Sequence, residues 1–167
     1  MIVQSISIFT ADLAWWLLVL VMLIRPVNDI FANRFTRLLC RYRKYIGIGS
    51  GLMALLHVIL YFVYSQAGWD FWSGYGWDLG SLFGWGVLAF LFIIPPLITS
   101  NSLSQRVLKK YWKIVQYFSY LAFVCTAIHI SFLDDWWWTS VFAAGLWLVF
   151  WFLAWFKKKN YKIKSSC

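Results

Sequence analysis

The sequence predicts an all-α integral membrane bundle of five transmembrane helices, with the N-terminus outside and the C-terminus cytoplasmic. Three observations predict it. Hydrophobic residues make up 62% of the 167 residues and charged residues only 13%, where a soluble domain carries about a quarter charged. The apolar residues fall in runs near the roughly 20 needed to cross a bilayer. All fifteen lysines and arginines collect in three segments, Arg25 to Lys44, Arg106 to Lys113 and Lys157 to Lys164. In a five-span chain these three segments share one side, which the positive-inside rule makes the cytoplasmic one.

The length fits a single domain, residues 1–167. The first span is expected at about 7–24, ended by Arg25-Pro26. It has no basic segment before it and no small-residue cleavage site after it, so it reads as a retained helix rather than a signal peptide. The basic loop that follows contains a stretch, Ile30 to Tyr42, with the pattern of an amphipathic helix at the interface. The second span is expected at about 45–64. A loop rich in Gly, Trp and Asp comes next, suited to the headgroup layer. The third span is expected at about 79–98, with a kink or stop at Pro95-Pro96. The fourth runs over about 111–133 and the fifth over about 136–156. The side opposite the basic segments has Asp70, Asp78, Asp134 and Asp135 and no Lys or Arg.

The net charge of +9 does not point to nucleic acid, because the basic residues sit in short loops where they set orientation. Cys40, Cys125 and Cys167 form no CxxC and no metal-ligand spacing. Gly47-x-Gly49-x-Gly51 lies inside a span with no preceding strand, so it reads as close helix packing, not a dinucleotide fingerprint. Asp134-Asp135 reads as a helix-ending cap, with a proton-active pair as the alternative. The Trp136 to Trp138 run reads as interfacial anchoring, with a platform for a quinone or flavin as the alternative.

The residues that carry chemistry are the only two histidines, His57 and His129. Ionisable residues at membrane depth are costly and are functional candidates by default. Both histidines lie on spans that run outward from the basic side. His57 is thirteen residues past Lys44 and His129 sixteen past Lys113, which puts both about 20 Å in and about 4.5 Å apart in depth. Seven, four and three residues before His57 stand Ser50, Met53 and Ala54. The same offsets before His129 give Ala122, Cys125 and Thr126. Those positions share a helix face with their histidine, and the small residues seven and three before each leave room for a flat macrocycle. A pair of neutral imidazoles on parallel spans is a donor set for heme iron. The alternative is that each histidine only hydrogen-bonds across helices and glues the bundle.

Three segments carry a family resemblance. They are Arg41-Tyr-Arg43-Lys44-Tyr-Ile-Gly47 leading to Leu55-Leu56-His57 and Tyr61, then Leu97-Ile98-Thr99-Ser100-Asn101, then Ser104-Gln105-Arg106 with Lys110-x-Trp112-Lys113 leading to His129. In order and spacing the chain resembles the ferric reductase-like transmembrane family. Within it, the chain is most similar to heme-binding membrane subunits of periplasmic methionine sulfoxide reductase systems. The likeness covers about residues 10–155. It departs at Gln116, where the family usually has a further histidine, and at Arg43 and Lys44, where the partner helix would hold an inner ligand.

The resemblance therefore implies one b-type heme in the outer half, ligated by His57 and His129. It implies an electron-transfer subunit rather than a self-contained enzyme. The donor would be membrane quinol or a cytoplasmic flavoprotein, and the acceptor a periplasmic or extracellular oxidant. No nucleotide- or flavin-binding domain follows the spans, so a reduced-nicotinamide donor would be a separate protein. Heme propionates facing outward would rely on Trp69, Ser73, Tyr75 or Trp77, and uncompensated negative charge there would lower the reduction potential. The expected partners are membrane lipid and a redox protein, with no nucleic acid, in a multi-pass protein of the bacterial inner membrane. A heme-free accessory or assembly subunit is the reading from another class. A gas sensor is a third, but it needs an open axial position that two histidine ligands deny.

Overall fold

The computed structural model describes residues 2–66, 68–133 and 137–161, apart from the side chains of Trp69, Trp72, Tyr75 and Tyr161. Its elements in order are α1 (Ile2–Phe31), α2 (Arg34–Ser65), the short α3 (Trp69–Ser73), a 3₁₀ turn (Tyr75–Trp77), α4 (Leu82–Ile98), α5 (Ser102–Leu108), α6 (Lys110–Ser131) and α7 (Trp137–Tyr161). No strand occurs among the described residues, so the all-α expectation holds. Four helices, α1, α2, α6 and α7, are long and apolar enough to cross a membrane. The pair α4 and α5, bent by 92°, is a further candidate. The protein is a multi-pass membrane protein.

Side-chain pairings give the helix directions. Ser7 meets His57, Ala14 meets Ser50 and Val21 meets Arg43, so α1 and α2 are antiparallel. Leu82 meets His129 and Thr99 meets Trp112, so α4 and α6 are antiparallel. Lys157 reaches the Ile30 carbonyl and Lys158 pairs with Asp29 at 2.6 Å, so α7 runs with α1. Helices α1, α2, α4 and α6 form a ring in which α2 packs on α1 and α4, and α6 packs on the same two. Helices α2 and α6 make no close backbone approach to each other, so they stand diagonally across the ring. The core lies to one side, where Trp15, Leu18, Val19 and Met22 of α1 meet Phe123 of α6 and Ala143 of α7.

Several boundaries differ from the sequence expectation. Helix α1 does not stop at Arg25-Pro26. It continues through Pro26 to Phe31, since a proline removes one backbone donor but leaves the helical bonds on either side of it. The break comes at Ala32, whose φ of 44° lies in the left-handed region, and Asn33 then starts α2 with a reciprocal capping box to Thr36. The interfacial helix expected at Ile30 to Tyr42 is not a separate element. From Arg34 onward it is the first turns of the 32-residue α2.

The third helix starts at Leu82 rather than Leu79, because Asp78 holds the preceding turn by accepting from Gly80 N at 2.9 Å and Ser81 N at 3.1 Å. Pro95 and Pro96 sit near the end of α4, which stops at Ile98 as expected. The fourth helix ends at Ser131 and the fifth begins at Trp137. The expected cap at Asp134-Asp135, and Trp136, lie outside the described residues.

Candidate functional site

Each histidine is held by the helix beside it rather than by its own. The antiparallel seam between α1 and α2 repeats every seven residues. His57, Ser50 and Arg43 on α2 bond to the backbone carbonyls of Ser7, Ala14 and Val21 on α1, at 2.9, 2.9 and 3.2 Å. Seven-residue spacing keeps such contacts on one helix face. A Cβ at Gly47 or Gly49 would meet Val21 or Leu17 at ordinary contact distance, so the seam does not require glycine at either position. The Ser7 hydroxyl lies a further 3.1 Å from His57 Nδ1. On the other side of the ring, His129 Nδ1 lies 2.7 Å from the carbonyl of Leu82, the first residue of α4.

These contacts decide the imidazole tautomers. A backbone carbonyl only accepts, so Nδ1 carries the hydrogen in both rings and donates it. Nε2 is then the nitrogen with a free lone pair in both. A metal-ligating histidine normally donates its other ring N–H to a backbone carbonyl or carboxylate in this way, which sets the ring's orientation.

The two rings sit at nearly one level. Trp15 of α1 stacks on Phe123 of α6 with centroids 5.5 Å apart. From that level Ser7, which holds His57, is eight residues outward along α1, and His129 is six residues outward along α6. The difference of two residues is about 3 Å, somewhat less than the sequence spacing suggests. The rings are also electrostatic neighbours. Neither is fully enclosed by protein; both are half-buried. Gly86, one turn into α4, lies flat against His129. A Cβ at Gly86 would come within 2.8 Å of ring atoms Cε1 and Nδ1.

The six residues expected to flank the histidines divide. Ser50 is buried, its hydroxyl committed to Ala14 on α1. Ala122 and Cys125 are buried too. Met53, Ala54 and Thr126 are half-buried, and Thr126 donates to the Ala122 carbonyl at 2.7 Å within its own helix. Of the expected outer polar groups, Ser73 and Trp77 are exposed, and the side chains of Trp69 and Tyr75 lie outside the described residues. Gln116 faces Thr99 on α4, its amide 3.3 Å from the hydroxyl, and Trp112 Nε1 donates to the Thr99 carbonyl at 3.1 Å. Thr99, just past the end of α4, thus ties that helix end to the start of α6.

Sequence reasoning missed Ser7, Leu82 and Gly86. The carbonyl of Leu82 has no signal in the sequence, because any residue offers one. Among the described residues no three His, Cys, Asp or Glu side chains come together as a metal site.

The chain is 27% identical over 147 residues to the protein-methionine-sulfoxide reductase heme-binding subunit MsrQ of Brucella anthropi. The match covers 86% of this chain and 65% of that protein, so this chain spans about two thirds of the relative's length. No solved structure matches. Residues 10–127 match the family described as ferric reductase like transmembrane component; His57 lies inside that span and His129 two residues beyond it. The chain belongs to the ferric reductase-like transmembrane component family.

Proposed function

We propose that the protein is a five-span membrane subunit that binds one b-type heme between His57 and His129 and passes electrons outward. The observation that carries this is the shared tautomer. Both imidazoles give Nδ1–H to a neighbouring helix's carbonyl and keep Nε2 free. Histidines that only glue helices would make the same Nδ1 bonds; what favours ligation is that both also keep Nε2 free at nearly one level on the diagonal helices of a ring.

The residues present fit the group. Heme iron takes its protein ligands from side chains such as histidine, so the imidazoles of His57 and His129 would hold it. The site offers two, and among the described residues no third His, Cys, Asp or Glu joins them in a metal-binding group. When bound, heme supplies one-electron chemistry. The chain supplies the rest. Ser7 and Leu82 orient the ligands, Gly86 keeps the His129 ring from being displaced, and the surrounding apolar helices exclude water.

The Brucella relative's name describes a heme-binding subunit of a reductase, which supports the same use here. A subunit of this kind takes its electron from membrane quinol or a cytoplasmic flavoprotein. It delivers it to a periplasmic or extracellular acceptor, across a bacterial inner membrane with the basic segments inside. Redox potentiometry of the purified protein tests the electron-transfer role. The expected result is a single one-electron wave from a low-spin heme at a low midpoint, because no Lys or Arg stands at the outer end to compensate propionates. A clearly positive midpoint contradicts the outward-propionate part. No wave at all favours the heme-free accessory subunit.

A further inference from the structure

We infer that the groove formed by α1, α6 and α7 at the basic end of the bundle binds one anionic phospholipid. The groove has a volume of about 670 Å³ and is lined by Met22, Tyr117, Tyr120, Trp151 and Trp155, with Arg25 and Lys158 at its polar edge. Tyr117, Trp151 and Trp155 are themselves exposed, so the groove opens on the bundle's lateral face, where lipid chains lie.

Charge identifies the occupant. Lys158 is paired with Asp29 at 2.6 Å. Arg25 makes no ion pair among the described residues. Behind the groove wall, Arg43 donates from Nε to the Val21 carbonyl at 3.2 Å. Its guanidinium also interacts with the Tyr120 side chain, and its charged neighbour is Arg25. Arg25 and Lys158 thus line the groove with one carboxylate, Asp29, and Arg43 adds a third positive charge behind the wall. Two arginines held near each other within a helical bundle are costly unless an anion compensates them. The aromatic walls beyond them call for an apolar tail. An amphiphile with a phosphate head and acyl chains meets both demands, and basic pockets between helices on the cytoplasmic side recognise such head groups. A quinone has a neutral head and would leave the arginines uncompensated.

The site is independent of the histidine pair, so it can be tested whatever the heme result. The experiment uses the full chain in detergent, stripped of lipid, with native mass spectrometry and thermal unfolding as readouts. The probes are phosphatidylglycerol, phosphatidylcholine with the same chains, inorganic phosphate and decylubiquinone. The expected result is one retained phosphatidylglycerol per chain and a raised unfolding midpoint with that lipid alone. Arg25→Gln is expected to cut retention about tenfold, and Arg25→Lys to restore most of it. Equal retention of the two phospholipids overturns the proposal. So does a phosphate effect as large as the lipid's, which would make the groove irrelevant, or displacement of the lipid by the quinone. If Arg25→Gln fails to fold, the wild-type comparison of the two phospholipids decides alone.

Discussion

His129 gives its Nδ1 hydrogen to the carbonyl of Leu82 at 2.7 Å, and the bond ties α6 to the first turn of α4. Gly86 stands one turn further along, where an added Cβ would reach ring atoms at 2.8 Å. The ring is thus fixed by a carbonyl on one side and packed on by bare backbone.

Gly86→Leu should displace that ring. The expected outcome is a fall in heme affinity of about 10–100-fold, the usual cost of disturbing a ligand's supporting contacts, read as heme per polypeptide after purification. Gly145→Ala is the control. Nothing lies within 4 Å of a Cβ there, and replacing a mid-helix glycine by alanine should stabilise by about 0.5–1 kcal/mol with heme content unchanged.

Ser7→Ala should retain heme. It removes the hydroxyl 3.1 Å from His57 Nδ1 but keeps the carbonyl acceptor at 2.9 Å. Heme content within about twofold of wild type is expected. Complete loss would show that the hydroxyl, not the carbonyl, sets the ring.

Ser50→Ala tests the seam between α1 and α2. It deletes the central bond of the seven-residue ladder, to Ala14 at 2.9 Å. Interhelical hydrogen bonds in membranes average about 0.6 kcal/mol, so a small loss of thermal stability is expected, with the heme spectrum unchanged. Loss of heme would instead place Ser50 at the cofactor.

Gln116→His should not create a second heme site. The amide at 116 points to Thr99 on α4, and α2 offers no histidine other than His57. Heme-to-protein stoichiometry should stay at one by pyridine hemochromogen assay. A ratio near two would refute this.

Much of this was readable from the residues. The hydrophobic runs gave the helical spans, and the two histidines at similar offsets from basic clusters gave the candidate site. What could not be read depends on partners rather than on the residue itself. Pro26 looks like a terminator, yet α1 runs through it and breaks only at Ala32. The small residues before each histidine suggested one shared cofactor face. Ser50, however, is buried with its hydroxyl on α1. Helix periodicity says which residues share a stripe, but not which neighbour that stripe meets. The carbonyls of Ser7 and Leu82, which select the tautomer, leave no mark in any sequence.

The most direct test of the central claim is an absorption spectrum of the detergent-purified protein, oxidised and dithionite-reduced, for wild type, His57→Ala and His129→Ala. Sharp reduced α and β bands of a low-spin b heme in the wild type, lost in both variants, are predicted. A wild type that stays colourless when heme is supplied during expression, or bands that survive either substitution, would contradict ligation by this pair.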